Sequence, residues 1–251
     1  MSRFKGSSET TRENFGIKYK NFNLAYNFEN FSLWLVGFFE VFGEFKLISD
    51  KDEINFLLSV DLIDIDILYK IKTFLQCGKI TTNFNKATYI INNNDQLINI
   101  IYPIFNNKIL SDYKFNEFKA FCDLFNLPCV KSNNLNSSWL IGFLEANSEF
   151  LIINNSAVLK ITNNNESLLN LIKINYFKKG KIISNGCNYN LIYQWDDTFR
   201  IKKIFILPFL TKKKILFIKW LKILRLIEKK EQLSQDGQLK IQQYQKYQNK
   251  I

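Results

Sequence analysis

The 251-residue sequence contains no histidine and few cysteines, glycines, prolines or methionines. Without histidine, imidazole bases, Ser-His-Asp triads and histidine-ligated zinc sites are all excluded. The four cysteines form no Cys-x-x-Cys pair, so we expect free thiols in a reducing compartment rather than a disulfide framework or a metal site. They are Cys77, Cys122, Cys129 and Cys187.

A long uninterrupted apolar segment is also missing. Met1–Phe15 is polar and charged, which predicts no signal peptide. Ile204–Ile227 is the most apolar stretch, but it contains five lysines and one arginine. A membrane-spanning helix does not tolerate so many charges, so we expect no membrane partner.

The composition indicates a globular, basic protein. Hydrophobic residues make up 47% of the chain and aromatic residues 16%, enough for a packed core. The formal charge of +11 favours a polyanionic partner, although basic residues also serve solubility alone. Asn, Ile, Lys and Phe, which have AT-rich codons, are abundant. We therefore expect organellar coding and a mitochondrial location, with a plastid as the alternative.

The strongest pattern is an internal duplication. Ser32–Phe45 and Ser137–Phe150 lie 105 residues apart and are identical at eight of fourteen positions. The same offset relates Lys108 to Lys213, and Gly-Lys-Ile recurs at 78–80 and 180–182. We divide the chain into an N-terminal arm (1–30), a first repeat (31–125), a linker (126–136), a second repeat (137–229) and a basic Gln- and Lys-rich tail (230–251).

Each repeat has the same predicted order of elements, and the fold class is α+β. The motif reads as a buried helix with a serine placed to cap its start, Ser32 or Ser137. Hairpin, helix, second hairpin and closing helices follow, which gives αββαββα. The predicted closing helices are 96–105 and 115–125 in the first repeat and 199–205 and 213–229 in the second. The tail reads mainly as solvated, with a helix that docks on a partner as the alternative.

Two segments, Trp34–Gly43 and Trp139–Ser148, resemble the LAGLIDADG motif of the homing endonucleases. With the element order, the resemblance to the two-motif, single-chain members covers about residues 30 to 229. It implies a pseudo-two-fold fold with saddle-shaped antiparallel sheets around two central helices, and no need for a homodimer. Small residues at helical spacing would let those helices approach closely: Gly37, Val41, Gly142 and Ala146.

The resemblance also implies where DNA would be cut. Family members use one acidic residue at the eighth position of each motif, and these carboxylates hold divalent metals between the scissile phosphates. Here the eighth positions are Phe42 and Asn147, which offer a ring and a neutral amide. We therefore expect no intact catalytic residue, no metal site and no cofactor. Mg²⁺ would be needed only if Glu44 and Glu149, two residues further on, formed a substitute site. We interpret Glu40 and Glu145 as structural.

Nucleic-acid binding is the function that remains, and several roles stay open. Candidate phosphate contacts are Lys79, Lys108, Lys160, Lys181, Lys202, Lys203, Lys212, Lys213 and Lys214. Tyr89, Tyr189, Tyr193 and Trp195 could stack on unpaired bases, with core packing as the alternative for at least half of them. We favour structured RNA over duplex DNA, because a maturase-like protein or a subunit of an organellar ribosome-like assembly needs no metal-binding acids. The alternatives are site-specific DNA binding without cleavage, and an endonuclease with residual or rearranged cleavage.

Overall fold

A computed structural model of the chain describes residues 28–48, 53–194 and 209–248. The first repeat consists of α1 (Phe28–Phe42), β1 (Gly43–Ile48), β2 (Glu53–Asp61), α2 (Ile65–Leu75), β3 (Lys79–Asn83), β4 (Lys86–Ile91), the composite helix α3 (Asn94–Gln96, Leu97–Ile101 and Tyr102–Phe105) and α4 (Asp112–Leu124). The second consists of α5 (Ser137–Asn147), β5 (Ser148–Ile153), β6 (Ser156–Asn163), α6 (Glu166–Ile172, continued by the π-helical turn Lys173–Phe177), β7 (Lys181–Asn185), β8 (Asn188–Tyr193) and α7 (Lys213–Glu228). Helix α8 (Gln235–Gln248) follows.

Each repeat forms one four-stranded antiparallel sheet. The strand orders are β1-β2-β4-β3 and β5-β6-β8-β7, so the two sheets have the same topology. Burial alternates along β2, because successive side chains of a strand point to opposite faces. The inner faces pack on the core, and the outer faces carry polar and charged side chains. The predicted α+β fold with two antiparallel sheets is confirmed.

Helices α1 and α5 lie against each other at the centre of the molecule. Both are apolar on nearly every side, and most of their residues are buried. A helix that is apolar all round needs neighbours all round, which the partner helix and the inner faces of the sheets provide.

The predicted serine caps are wrong. Helix α1 begins at Phe28, inside the range expected for the arm, and Ser32 lies within it, where its Oγ donates to the Phe28 carbonyl at 2.7 Å. Helix α5 is capped by Asn136, whose side chain accepts a hydrogen bond from the Ser138 N–H at 2.7 Å. Asparagine is as good a cap as serine, so spacing alone could not choose between them.

The C-terminal tail is also a correction, because residues 235–248 form a docked helix instead of a solvated tail. Ile241 and Tyr244 of α8 are buried. The Tyr244 hydroxyl donates to the Phe150 carbonyl at 2.7 Å, and the Gln245 amide donates to the Ile152 carbonyl at 3.3 Å. Both carbonyls belong to β5, the edge strand of the second sheet, so α8 supplies donors to an edge that would otherwise stay open.

The linker lies along the first repeat. The N–H of Ser132 donates to the Ile109 carbonyl at 3.1 Å, and the Tyr102 hydroxyl donates to the Pro128 carbonyl at 2.7 Å. The predicted arm up to residue 27, the predicted helix 199–205 and the last three residues of the tail lie outside the described residues. In the ranges that are described, no helix is long and apolar enough to cross a membrane.

Candidate functional site

The two central helices touch through their glycines. A Cβ atom built on Gly37 would lie 2.0 Å from the carbonyl oxygen of Trp139, and one on Gly142 would lie 2.0 Å from that of Trp34. No larger residue fits at either position, so each glycine admits the backbone of the other helix. Val41 and Ala146, one turn further on, are partly buried and pack against the core. The structure therefore places the two glycines at the contact between the helices, and Val41 and Ala146 against the core.

The buried acids Glu40 and Glu145 bind helix starts. The Glu40 carboxylate accepts hydrogen bonds from the backbone N–H groups of Leu110 (2.6 Å) and Ser111 (3.1 Å), just before α4. The Glu145 carboxylate accepts from the N–H groups of Leu210 and Thr211, just before α7. Free N–H groups at a helix start attract a carboxylate. Both acids thus have the structural role expected for them.

One of these acids also joins the repeats. The indole Nε1 of Trp34 donates to Glu145 Oε2 at 3.0 Å, across the interface between α1 and α5. Burial raises the pKa of both Glu40 and Glu145 above the ordinary value, although the hydrogen bonds to backbone N–H groups oppose this shift. Their oxygens are therefore engaged in holding the fold together.

The eighth motif positions lie at the ends of the two central helices. The Phe42 ring is 36% exposed and contacts the Phe38 ring, with 5.0 Å between centroids. The Asn147 side chain is partly buried, and its Nδ2 donates to the Thr162 carbonyl of β6. Neither side chain carries a charge here.

The acids two residues further on lie on the outer faces of the sheets. Glu44 is exposed on β1, opposite Leu57. Glu149 lies opposite Lys160, and its carboxylate pairs with the Lys160 ammonium at 3.0 Å. Glu149 thus already has a cationic partner from its own sheet.

Lys213 is a candidate lysine that contacts the end of the second motif. Its Nζ donates to the carbonyl of Ala146 at 3.3 Å, at the end of α5. Burial lowers its pKa to about 8, although the negative charges of Glu145, Glu149 and Asp64 oppose that shift. Lys213 is thus a basic group beside the end of the second motif.

Lys108 does not match Lys213 in space. The sequence separation from the capping glutamate to the capped residue is 70 for Glu40 and Leu110 but 65 for Glu145 and Leu210. The second repeat is therefore five residues shorter, and Lys213 corresponds to Tyr113. Lys108 instead donates to the Pro103 carbonyl at 2.9 Å and lines a cavity with Phe28, at the opposite end of α1 from Phe42.

The other candidate lysines divide into two groups. Lys79, Lys160 and Lys181 lie on strands of the two sheets, and Lys160 and Lys181 both lie opposite Ile192 of β8. Lys212 and Lys214 flank Lys213 and are exposed. The two remaining candidates lie outside the described residues: Lys202 and Lys203.

The aromatic candidates are mostly part of the core. Tyr89 and Tyr193 are fully buried, and the Tyr89 hydroxyl donates to the Cys77 carbonyl at 2.8 Å. Tyr189 is partly buried, and Trp195 lies outside the described residues. Core packing is therefore the role of Tyr89 and Tyr193, and neither is available for stacking on a base.

Known proteins with this architecture bear the same motif. A family model described as LAGLIDADG endonuclease matches residues 35–125. Among the solved structures similar to this one are the I-LtrWI LAGLIDADG homing endonuclease bound to target DNA (TM-score 0.73, 18% identity, covering 90% of this chain and 98% of that chain) and the K262A mutant of I-SmaMI (TM-score 0.71, 19% identity, 88% and 99%). Residues 35–125 therefore match the LAGLIDADG endonuclease model, and the chain is similar in fold to LAGLIDADG homing endonucleases.

Two curated relatives are products of introns. The uncharacterized cox1 intron-2 37.2 kDa protein of Schizosaccharomyces pombe is 27% identical over 98% of this chain and 83% of its own length. The protein named Probable intron-encoded endonuclease 4 of Neurospora crassa is also 27% identical over 98% of this chain. The chain spans only 48% of the length of the Neurospora protein.

The metal that the resemblance to LAGLIDADG endonucleases implies does not fit the residues at the motif ends. Divalent cations such as Mg²⁺ need several hard oxygen ligands, preferably charged. The motif ends offer the Phe42 ring and the Asn147 amide, with the Lys213 ammonium close by. Glu40 and Glu145 are engaged by backbone N–H groups. Across the described parts of the chain, no group of three Cys, Asp or Glu residues could hold a metal ion.

Sequence reasoning missed two residues near the motif ends. Lys114 is buried, and its Nζ donates to the carbonyl of Gly43 at 2.6 Å, at the start of β1. Tyr113 stands where the second repeat has Lys213. Aligning the helix starts through their capping glutamates, rather than carrying one offset through the whole repeat, would have shown both.

Proposed function

We propose that this protein binds nucleic acid through the outer faces of its two sheets and performs no metal-dependent cleavage. The observation that carries the proposal is the absence of charge at Phe42 and Asn147, while Glu40 and Glu145 are used to hold helix starts. Phosphodiester hydrolysis by a metal-activated water needs ligands for the metal, and these positions supply none. The basic surface remains available for binding.

Structured RNA is the partner that we favour. A fold that has lost both eighth-position acids keeps its use if its task is to hold an intron RNA or to join a ribonucleoprotein, since neither task requires hydrolysis. The intron origin of both curated relatives supports this, and the cox1 intron of the Schizosaccharomyces relative supports a mitochondrial location.

Site-specific binding of duplex DNA is the second candidate. It is favoured by the likeness to I-LtrWI, which is described as bound to target DNA. In that case the two sheets would lie in the major groove, which is wide enough for β-ribbons.

Two measurements test the proposal. Binding of the purified protein to folded intron transcripts and to duplex DNA of randomised sequence is measured over a salt series. Phosphate contacts predict affinity that falls steeply with salt, and the tighter of the two identifies the partner. If neither nucleic acid shows salt-dependent binding, the proposal is wrong.

Cleavage is tested on the same duplex pool with Mg²⁺ or Mn²⁺. We expect none from the wild-type protein. The matched variant Phe42→Asp/Asn147→Asp puts back two carboxylates, and we expect its melting temperature to rise on addition of Mg²⁺ while that of the wild type stays constant. Cutting by the wild-type protein would contradict the loss of activity without affecting the proposal of binding.

A further inference from the structure

An aromatic side chain projects from the tip of the second hairpin of the first repeat. Strands β3 and β4 are joined by the two-residue turn Phe84-Asn85, and the Phe84 side chain is 93% exposed. No other large hydrophobic side chain in the described ranges is as exposed. Phe84 therefore gains almost none of the hydrophobic stabilisation that burial gives to the phenylalanines of the core.

The backbone at Phe84 is strained as well. Its φ is 48°, in the left-handed region that a bulky residue rarely adopts. Every other described residue with a positive φ is a glycine, asparagine, glutamine or lysine. The matching turn of the second repeat has Gly186 at this position, with a φ of 62° and nothing within 4 Å of its Cβ position. Glycine makes this turn without strain, so the turn itself does not require the ring of Phe84.

The turn is tied to the rest of the first sheet, so the ring is held at a fixed place. Asn83 pairs with Lys86 at the end of the hairpin, and the N–H of Leu62 donates to the Asn85 carbonyl at 2.7 Å. Leu62 directly follows β2, the strand next to β4. A binding group on a rigid support loses less conformational entropy on binding than one on a flexible loop.

The outer face of the first sheet leads directly to this turn. Its last two cross-strand pairs before Phe84 are Thr81 with Thr88 and Asn83 with Lys86. All of these side chains are polar and exposed except Thr88, which is half-buried. They offer hydrogen bonds and one positive charge around a single aromatic ring. A nucleobase, which has a flat apolar face and polar edges, fits such surroundings.

The apolar surface beside the turn is small and bordered by acids. Leu62 and Ile63 are exposed, but Asp61 precedes them and Asp64 follows them. The core of a protein–protein interface is depleted of charged residues, so a protein partner is disfavoured at this place. Residues 31–125 also carry more acidic than basic residues. Here the first repeat is therefore better suited to contact the uncharged base of a nucleotide than its phosphate.

We propose that Phe84 stacks on an unpaired base of a bound nucleic-acid strand. The inference rests on the proposed function and names the part of the nucleic acid that the first repeat contacts. In a duplex, neighbouring base pairs cover the faces of each base, and only the edges are open in the grooves. The ring therefore selects a base that is unpaired, as in the loops and bulges of structured RNA.

The test uses the full chain and three variants of Phe84. Phe84→Gly gives the turn of the second repeat, Phe84→Leu keeps an apolar side chain without an aromatic face, and Phe84→Trp keeps an aromatic face. Leu233→Ala is the control, because Leu233 is 77% exposed between α7 and α8. Affinity is measured over a salt series for a folded intron transcript, for single-stranded oligouridylate and for the duplex of oligouridylate with oligoadenylate. Unfolding temperatures are recorded for all variants.

Phe84→Gly and Phe84→Leu should each lower the affinity for single-stranded oligouridylate by about 5-fold to 150-fold, the range for one base stacked on an aromatic ring. The slope of log K against log salt should stay unchanged, because no phosphate contact is lost. Phe84→Trp and the control should bind like the wild type, and duplex affinity should change by less than about twofold in every variant. Phe84→Gly should unfold near the wild-type temperature, because glycine adopts the positive φ freely.

Wild-type affinity of Phe84→Gly or Phe84→Leu for the single strand would overturn the stacking contact and leave the proposed function intact. Equal losses on the single strand and the duplex would also overturn it, because the ring would then not select an unpaired base. A wild-type protein that binds the transcript or the duplex but not oligouridylate would overturn this inference alone. A wild-type protein that binds none of the three would overturn the proposed function as well.

Discussion

The two repeats share what folding needs and differ in what a polyanion would meet. Both have the same sheet order, a glycine at the helix contact and a glutamate that caps a helix 65 to 70 residues away. Their charges differ in sign. Residues 31–125 carry nine Lys and Arg against twelve Asp and Glu, a net charge of −3, whereas residues 137–229 carry fifteen against six, a net charge of +9. Duplication kept the core constant and left the surface free to diverge.

The residues at the motif ends also differ in polarity between the two repeats. The second repeat keeps a polar Asn147 and the lysine Lys213 beside it, whereas the first has Phe42 and Tyr113. Lys114 binds the carbonyl at the start of β1 in the first repeat, so its charge is used internally. The positive charge that a polyanion would meet therefore lies mainly on the second repeat.

The largest expected effect tests what the repeats share. Gly37→Ala and Gly142→Ala each place a Cβ 2.0 Å from a backbone oxygen of the facing helix, so the helices must separate. Each variant should lose about 3 kcal/mol or more of the free energy of unfolding, measured by denaturant titration. Gly186→Asn is the control, because nothing lies within 4 Å of its Cβ position and Asn tolerates its φ of 62°. Wild-type stability of either alanine variant would refute the close contact.

The second test compares how much each of the two capping glutamates, Glu40 and Glu145, contributes to stability. In Glu145→Gln one oxygen becomes an NH₂ group, which must face either the indole N–H of Trp34 or the N–H groups at the start of α7. In Glu40→Gln the remaining oxygen can still accept from both Leu110 and Ser111. We expect a loss of about 2 kcal/mol for Glu145→Gln and about 1 kcal/mol for Glu40→Gln in denaturant unfolding. Equal losses would show that the bond from Trp34 adds nothing.

The sequence predicted the repeated αββαββα order because local patterns carry it. Alternating apolar residues mark β2 and β6, and motif spacing marks the two central helices. The Glu40 and Glu145 contacts span 70 and 65 residues, and no local period encodes a contact of that length. A constant offset of 105 residues pairs Lys213 with Lys108. Because the second repeat is five residues shorter, the structural counterpart of Lys213 is Tyr113. For α8, the apolar residues Ile241 and Tyr244 were too few to distinguish docking from solvation.

A third test concerns pH and the second repeat alone. In the folded protein the pKa of Lys213 is about 8, whereas the ordinary pKa of lysine is 10.5. Between these two pH values the unfolded chain still holds the Lys213 proton, while the folded protein has released it. Stability linked to this group therefore rises with pH in that window. Relative to Lys213→Met, the wild type should gain about 1–2 kcal/mol from pH 7 to pH 10. Lys214→Met, which removes the exposed neighbouring lysine, is the control. A constant difference for Lys213→Met would contradict the buried environment.

The smallest expected effect tests how the repeats protect their edge strands. In the first repeat, Lys114 donates to the Gly43 carbonyl of β1, and in the second, Tyr244 of α8 donates to the Phe150 carbonyl of β5. Tyr244→Phe removes this bond and keeps the ring, so it should cost about 1 kcal/mol in thermal or denaturant unfolding. Leu239→Ala is the control, because Leu239 is 51% exposed on the same helix and should have no measurable effect. If both variants match the wild type, the hydrogen bond from Tyr244 adds nothing to the stability of the second sheet. If only Tyr244→Phe is destabilised, the edge strand of the second repeat is stabilised by α8. In the first repeat, the lysine Lys114 takes the corresponding role.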